Sequence, residues 1–148
     1  MIWSPSVTVA AVICQQGRYL MVEERPDGLA VINQPAGHLE FGETLLQAVR
    51  REVLEETGRR FEPRGLVGIY QWTVPGSDRT YLRFCFSGDV GDPEPGHILD
   101  PEICATHWLT AEQIAGGELP TRSPLVLRCI EDARTMQAIG LESLNALD

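Results

Sequence analysis

Residues 37–59 read GHLEFGETLLQAVRREVLEETGR and contain the most specific pattern of the chain. Within it Glu52, Glu55 and Glu56 stand at positions i, i+3 and i+4, which places three carboxylates on one face of a helix. Like charges at this spacing repel each other unless a cation lies among them. Because hard cations prefer oxygen ligands, the cluster indicates a site for Mg²⁺ or Mn²⁺. A solvated acidic helix face is the plain alternative.

The same stretch carries the signals of a helix start and a helix end. Thr44 and Gln47 fit a capping box, in which the Thr side chain and the residue at the third helical position bond each other's backbone. Gly58 suits the left-handed position that ends a helix. The sequence therefore predicts a helix that begins after Thr44 and stops at Gly58.

An apolar stripe on this helix orients the carboxylates. Leu46, Val49 and Val53 recur at helical spacing and predict the buried face. At about 100° per residue, Glu52 and Glu56 flank that stripe instead of lying opposite it. They are expected at the edge of the core, whereas a merely solvated acidic face would point away from it.

The full pattern resembles the signature of the Nudix hydrolases. Gly37, Glu43, the Arg51-Glu52 pair, the Glu55-Glu56 pair and Gly58 match Gly-x5-Glu-x7-Arg-Glu-U-x-Glu-Glu-x-Gly-U, where U is bulky and apolar. Arg59 departs from it, since an apolar residue is usual there. That position affects local packing more than chemistry.

The resemblance implies a fold and a chemistry. The fold is an α/β/α sandwich with a mixed β-sheet between helices. The expected activity is metal-dependent hydrolysis of phosphoanhydride bonds. Two or more Mg²⁺ ions held by the Gly37 carbonyl and the three glutamates would neutralise phosphate oxygens and activate water. Glu52 is the first choice for the catalytic base.

Arg51 and the loop glutamates support this site in the same interpretation. Arg51 is expected to orient a glutamate through a bidentate contact. The alternative is a surface i, i+4 pair with Glu55. Glu43 and Glu40 are interpreted as groups that order the loop.

Further blocks are similar to a bacterial subgroup of phosphatases within the family. This similarity implies hydrolysis of nucleoside di- and triphosphates and of thiamine-type pyrophosphates, with release of phosphate. It covers most of the chain but weakens at residues 89–100 and after about residue 135. The blocks are residues 7–10, 33–40, 71–72, 82–84 and 122–126.

Candidate substrate-binding residues lie outside the signature. Arg83 lies in an apolar strand, where an arginine needs a reason, and Arg25 and Arg122 are weaker candidates for binding phosphate. Trp72, and Tyr70 beside it, are candidates for stacking on a ring, with core packing as the alternative. His38 follows the loop glycine and is expected to line the site.

A third acidic group is expected from a later loop. Residues 91–101 hold three prolines and two glycines and predict a flexible loop. Nudix enzymes often bring an acidic residue from such a loop to the metals. Glu102 is the candidate catalytic residue here, with Asp100 second.

Length and charge bound the other possibilities. The 148 residues predict one domain, 1–148, and the formal charge of −9 argues against nucleic acid as a partner. No apolar run predicts a membrane span or a signal peptide, so a cytoplasmic location is expected. The four cysteines form no Cys-x-x-Cys pair and are interpreted as small apolar residues.

Alternatives stay open at this stage. A non-catalytic Nudix-fold module that binds a nucleotide or a protein is one, although the intact glutamates and Arg51 favour an enzyme. ADP-ribose or another nucleoside-diphosphate-X compound is the alternative substrate, because Pro75 lies sixteen residues after Arg59, where ADP-ribose hydrolases of the family carry a proline. The chain is expected to be a monomer or a homodimer.

The remaining elements are predicted from periodicity and turn residues. A hairpin turn is expected at Gln16-Gly17 and another at 75–78, and helices are expected to open at Thr110 and Ser123. The segment 35–37 is interpreted as a loop. Strands are predicted at residues 6–14, 18–24, 66–74, 80–88 and 103–109.

Overall fold

The computed structural model describes residues 1–147 and contains eight strands and three α-helices within them. A short 3₁₀ helix follows at Leu141–Ser143. The strands are β1 (Ser6–Val12), β2 (Cys14–Gln15), β3 (Arg18–Glu24), β4 (Val31–Asn33), β5 (Ala36–His38), β6 (Phe61–Thr73), β7 (Thr80–Val90) and β8 (Ile103–Leu109). The helices are α1 (Leu45–Thr57), α2 (Ala111–Ala115) and α3 (Pro124–Thr135).

Two four-stranded sheets form the framework. The first sheet has the order β5-β1-β7-β6 and is mixed, because β1 and β7 run parallel while its other pairs are antiparallel. In the second sheet β3 pairs with β2, β4 and β8, all antiparallel. The predicted mixed sheet between helices is confirmed.

Alternation along β1 divides the core into two parts. Val9 and Ala11 face one side and pack with Val49 and Val53 of α1. Ala10 and the other even-numbered residues face the opposite side, where α3 contributes Cys129. Helices therefore cover both faces of the first sheet, and the helix with the acidic cluster contacts β1, β5 and β6.

The predicted helix caps are present. Thr44 and Gln47 form the reciprocal capping box, and Gly58 ends α1 with φ at 73°. Ser123 caps α3, with Pro124 at its first turn. These signals were readable from sequence because each is a local interaction between neighbouring residues.

Several boundaries differ from the sequence prediction. Residues 36–37 of the expected loop 35–37 belong to strand β5, Ala36–His38, since it pairs with β1. The first strand ends at Val12, and residues 14–15 form a separate short strand before the Gln16-Gly17 turn. Strands β6 and β7 are longer than predicted, with β6 beginning at Phe61.

The Pro/Gly-rich loop is attached to the end of α1. The Asp100 amide donates to the Glu55 carbonyl at 2.9 Å, and the Glu94 amide donates to the Gly58 carbonyl at 2.7 Å. These bonds bring residues 100–102 beside the acidic helix. Within residues 1–147 no helix is both long and apolar enough to cross a membrane.

Candidate active site

A polar cavity of about 480 Å³ lies over one face of the first sheet. Residues of β5, of the β3–β4 hairpin and of the start of α3 complete its lining. The acidic helix contributes Glu52 and Glu56 to its lining. The lining contains six acidic residues and three arginines: Glu24, Glu40, Glu52, Glu56, Asp100 and Glu102, and Arg79, Arg83 and Arg122. Such a mixture suits a charged ligand together with cations.

Glu56 is the most buried carboxylate of the cluster, with 7% of its surface exposed. Its Oε1 accepts a hydrogen bond from the Ala36 amide at 2.9 Å. Burial raises the pKa of Glu56 to about 9, and the charges of Glu52, Glu24 and Asp100 act in the same direction. A cation beside this carboxylate would stabilise its charged form.

Glu52 lies against the backbone of Gly37. A Cβ atom at Gly37 would overlap the Glu52 carboxylate, so glycine is required by space at this point of β5. Burial raises the pKa of Glu52, and the charges of Glu55 and Asp100 add to this, whereas Arg51 opposes it. The signature glycine thus allows α1 to bring its carboxylate onto the edge of the sheet.

The ladder between β1 and β5 decides which carbonyl is free at this edge. The Ala11 amide bonds the Pro35 carbonyl and the Leu39 amide bonds the Val7 carbonyl, so residues 35, 37 and 39 turn their backbone polar groups toward β1. Ala36 and His38 turn theirs outward, as the bonds to Glu56 and Arg51 show. The outward carbonyl beside the glutamates is therefore that of Ala36, and the expected Gly37 carbonyl faces β1.

Arg51 joins the loop to the helix. Its Nε and NH2 donate to the two oxygens of Glu43 at 3.0 and 2.7 Å, a bidentate contact. Its NH1 donates to Glu52 at 2.6 Å and to Glu55 at 3.3 Å, and NH2 also bonds the His38 carbonyl at 2.9 Å. The pKa of Glu43 is lowered by this contact. Arg51 is thus far more than a surface partner of Glu55.

The carboxylate oxygens at this end of the cavity fit a hard cation, although Arg51 already bonds Glu52 and Glu55. Within residues 1–147 no three His, Cys, Asp or Glu side chains are already arranged as a metal-binding group. Glu55 points toward Arg51 and does not line the cavity. All the acidic groups at this end offer oxygen, and Glu24 Oε1 is buried without a hydrogen-bond partner. Such donors suit Mg²⁺ or Mn²⁺ better than softer metals.

The floor of the cavity is formed by alternate residues of the first sheet. Arg83 of β7 is 7% exposed and its NH1 donates to Gln34 Oε1 at 2.9 Å. Trp72 of β6 lies nearly parallel to Tyr81 of β7, with ring centroids 6.1 Å apart, and Arg79 caps Tyr81 at 5.2 Å. The floor therefore offers a cation and an aromatic pair to one ligand.

The wall opposite the floor comes from the β3–β4 hairpin and α3. Glu24 Oε2 accepts a hydrogen bond from Arg122 at 2.8 Å, and burial raises the pKa of Glu24. Glu24 Oε1 and Asn33 Oδ1 are buried and have no hydrogen-bond partner among the described residues. Sequence reasoning missed both residues. The sequence signal that could have found Glu24 is an acidic residue at the end of an apolar strand.

The later loop delivers both of its candidate acids to the cavity. Asp100 Oδ1 accepts the Glu102 amide at 2.9 Å, and both residues line the cavity. The charge of Asp100 raises the pKa of Glu52 and Glu56, whereas that of Glu102 raises the pKa of Glu24. Both acids therefore lie in the cavity, where the charge of Asp100 acts on the glutamates of α1 and that of Glu102 acts on Glu24.

Two candidates from the sequence lie elsewhere. Arg25 is largely exposed, pairs with Glu23 at 3.5 Å and does not line the cavity. The Tyr70 hydroxyl donates to Asp132 of α3 at 2.8 Å, so Tyr70 packs under that helix and is not available for stacking. His38 lines the cavity as expected.

Comparison with known proteins identifies relatives of the whole chain. A family model described as NUDIX domain matches residues 4–129. Phosphatase NudJ of Escherichia coli K12 is 40% identical over 143 residues, which are 96% of this chain and 92% of that protein. These matches span the acidic helix, the floor and the wall of the cavity.

Solved structures agree with this relationship. A NUDIX hydrolase from Nitrosomonas europaea is 48% identical with a TM-score of 0.93, covering 97% of this chain and 98% of that one. The NUDIX domain of Shewanella oneidensis NrtR, solved with ADP ribose, has a TM-score of 0.70 at 18% identity, covering 90% and 88%. The second likeness shows the fold alone.

Proposed function

The chain belongs to the Nudix family and is a hydrolase of that family, and on this premise we propose that it removes phosphate from small nucleoside di- and triphosphates or thiamine-type pyrophosphates with the help of Mg²⁺ or Mn²⁺. The observation that supports the proposal is the order in which acidic, basic and aromatic side chains line one cavity. Carboxylates line its β5 end, Arg83 lies on its floor, and the Trp72–Tyr81 pair lies beyond.

A divalent cation fits the acidic end. Ala36, Glu52 and Glu56 would hold it, and Glu55 would join them by exchanging its 3.3 Å contact with Arg51 for the cation. When bound, the cation supplies positive charge to phosphate oxygens and lowers the pKa of water. It would also stabilise the charged form of Glu56, whose pKa is raised by burial.

The protein's own residues supply orientation and proton transfer. Arg51 fixes Glu52 through the 2.6 Å contact, and Gly37 leaves room for its carboxylate. Glu52 is our candidate to accept the proton of the attacking water, because its carboxylate lies at the acidic end of the cavity, where the cation would activate water. Glu102 is our candidate for a second acid or base from the opposite side.

The other end of the cavity selects the rest of the substrate. The stacked Trp72 and Tyr81 offer a flat apolar surface for a heteroaromatic ring. Arg83 and Arg122 supply positive charge beside it. A small ring-bearing diphosphate fits these groups, and loss of its phosphate agrees with the word phosphatase in the name of the Escherichia coli relative.

We propose a single domain over residues 1–148 that works in the cytoplasm on metabolites, as a monomer or homodimer, without nucleic acid or membrane partners. The formal charge of −9 supports this, because a polyanion binds poorly to an acidic surface. The four free cysteines fit a reducing compartment.

A substrate panel tests the proposal. The protein is incubated with Mg²⁺ and with nucleoside diphosphates, triphosphates, thiamine diphosphate and ADP-ribose, and released phosphate and pyrophosphate are measured separately. Diphosphates that lose inorganic phosphate would support the proposal. Much faster cleavage of ADP-ribose would replace it with a nucleoside-diphosphate-X pyrophosphatase, and turnover of none would favour a binding module.

A further inference from the structure

Arg83 carries a donor that no residue of the described chain uses. Its side chain is nine-tenths buried, and its Nε has no hydrogen-bond partner within residues 1–147. A buried guanidinium with an unmade hydrogen bond costs free energy, so such groups are rare without a reason. Because Arg83 lines the cavity, a bound ligand is the natural acceptor.

Gln34 fixes the orientation of this arginine. Gln34 is 1% exposed, and its Nε2 donates to the Ala11 carbonyl at 3.1 Å and to Cys85 Sγ at 3.5 Å. With both hydrogens of the amide engaged, Oε1 faces Arg83 NH1 at 2.9 Å. Gln34 does not line the cavity, so any influence it has on a ligand must pass through Arg83.

Thr8 places a second donor beside Arg83. The two residues are register partners in the parallel β1–β7 pair, and adjacent strands are about 4.8 Å apart. Thr8 Oγ1 is also buried, unpartnered in the described chain and in the cavity lining. Together the two side chains offer an N–H and an O–H from one patch of the floor.

The position of this patch identifies the group it would bind. The carboxylate end lies at β5, on one side of β1, and Trp72 of β6 lies on the far side of β7. Thr8 and Arg83 therefore stand between the bond to be cleaved and the ring. In a ring-bearing diphosphate, the group at that place is the phosphate that stays on the ring-bearing product.

We propose that Arg83 and Thr8 bind an oxygen of this retained phosphate, and that Gln34 is the positioning residue of Arg83. The proposal rests on the proposed function, since it takes a small diphosphate as substrate. In this proposal the floor contributes substrate affinity, whereas the bond is cleaved at the acidic end. Substitutions in the floor should therefore change KM more than kcat.

A double-mutant cycle tests the assignment. Arg83→Met and Gln34→Met are made singly and together. They are assayed with a nucleoside diphosphate and titrated calorimetrically, with Mg²⁺ present, with its α,β-methylene analogue, which the enzyme cannot split. Each single change should raise KM and the analogue's Kd by about tenfold to a hundredfold, the range for a hydrogen bond to a charged group. The double variant should bind no more weakly than Arg83→Met.

Three further variants control the cycle. Gln34→Glu keeps an oxygen for Arg83 but loses the donors to Ala11 and Cys85, so it should restore part of the affinity that Gln34→Met loses. Thr8→Val removes only the hydroxyl and should weaken analogue binding without touching Gln34. Arg64→Met is the matched surface control, since Arg64 pairs with Asp89 on the exposed side of β6 and does not line the cavity.

The outcomes separate the two proposals. If Gln34→Met weakens binding equally when Arg83 is already Met, Gln34 acts on the fold and the positioning role is wrong. If Arg83→Met and Thr8→Val both leave the analogue's Kd unchanged, the phosphate subsite is wrong. Analogue binding with the predicted pattern but no turnover of any phosphoanhydride would contradict the proposed function and keep the subsite.

Discussion

The carboxylate of Glu56 accepts a hydrogen bond from the amide of Ala36 at 2.9 Å, which ties the last turn of α1 to the outer edge of β5. This bond satisfies a backbone donor on the open side of an edge strand. It also buries an acid among Glu52, Glu24 and Asp100, whose charges raise its pKa further. The metal-free protein therefore carries a carboxyl that prefers its neutral form.

We predict that Glu56→Gln stabilises the metal-free protein above neutral pH. The pKa of Glu56 is raised to about 9 in the folded state, so between pH 4.5 and 9 the folded state binds more protons than the unfolded state. Stability should consequently fall as pH rises through this window, and glutamine removes that loss while keeping an oxygen for Ala36. Thermal melts in EDTA from pH 5 to 9 measure the difference.

The variant and wild type should melt alike near pH 5 and diverge toward pH 9, with the variant higher. Glu131→Gln, at an exposed position on α3, should show no such divergence. A wild-type protein whose melting temperature rises from pH 5 to 9 as much as that of Glu56→Gln would contradict the raised pKa.

We predict that catalysis requires Mg²⁺ or Mn²⁺ and that Glu56→Gln lowers kcat by several orders of magnitude. Loss of one carboxylate removes both a ligand and a charge from the acidic end. Released phosphate is measured with added metal, with EDTA and after metal is returned. Glu131→Gln again serves as the control, and full turnover in EDTA would contradict the metal-dependent mechanism.

Local interactions made α1 predictable from sequence, whereas the contact that orients Arg83 was not predictable. Thr44 and Gln47 are three residues apart, so their capping pattern can be seen in the sequence itself. Gln34 and Arg83 are 49 positions apart, and the pairing of β1 with both β5 and β7 brings them together. A contact between residues so far apart along the chain leaves no pattern in the local sequence.

The prediction of a loop at β5 was wrong for a related reason, because strand pairing cannot be seen in the local residue composition. Pro35, Ala36 and Gly37 have the residues of a turn, yet pairing with β1 makes 36–38 a strand. The consequence reaches the site, because the register turns the Gly37 carbonyl inward and the Ala36 carbonyl outward. The signature glycine is required for its missing side chain, which would otherwise overlap Glu52.

We predict that Arg51→Lys lowers kcat/KM by about 10- to 100-fold, the scale of a small misplacement of a catalytic group. A lysine ammonium cannot reproduce the bidentate contact with Glu43 while also bonding Glu52. Arg50→Lys is the matched control, since the neighbouring Arg50 is exposed and forms an ion pair with the exposed Glu62 at 3.6 Å. Equal activity in the two variants would contradict an orienting role.

We predict that Glu102→Gln lowers kcat about tenfold or more, the scale of losing an acid or base, with little change in melting temperature. Glu102 lines the cavity, and its backbone amide donates to Asp100 Oδ1 at 2.9 Å. Asp100→Asn is the variant to compare with it. The charge of Asp100 raises the pKa of Glu52 and Glu56, whereas that of Glu102 raises the pKa of Glu24. If kcat falls only in Asp100→Asn, the acid that serves the reaction is Asp100. Wild-type kinetics in both variants would leave the glutamates of α1 as the acids of the mechanism.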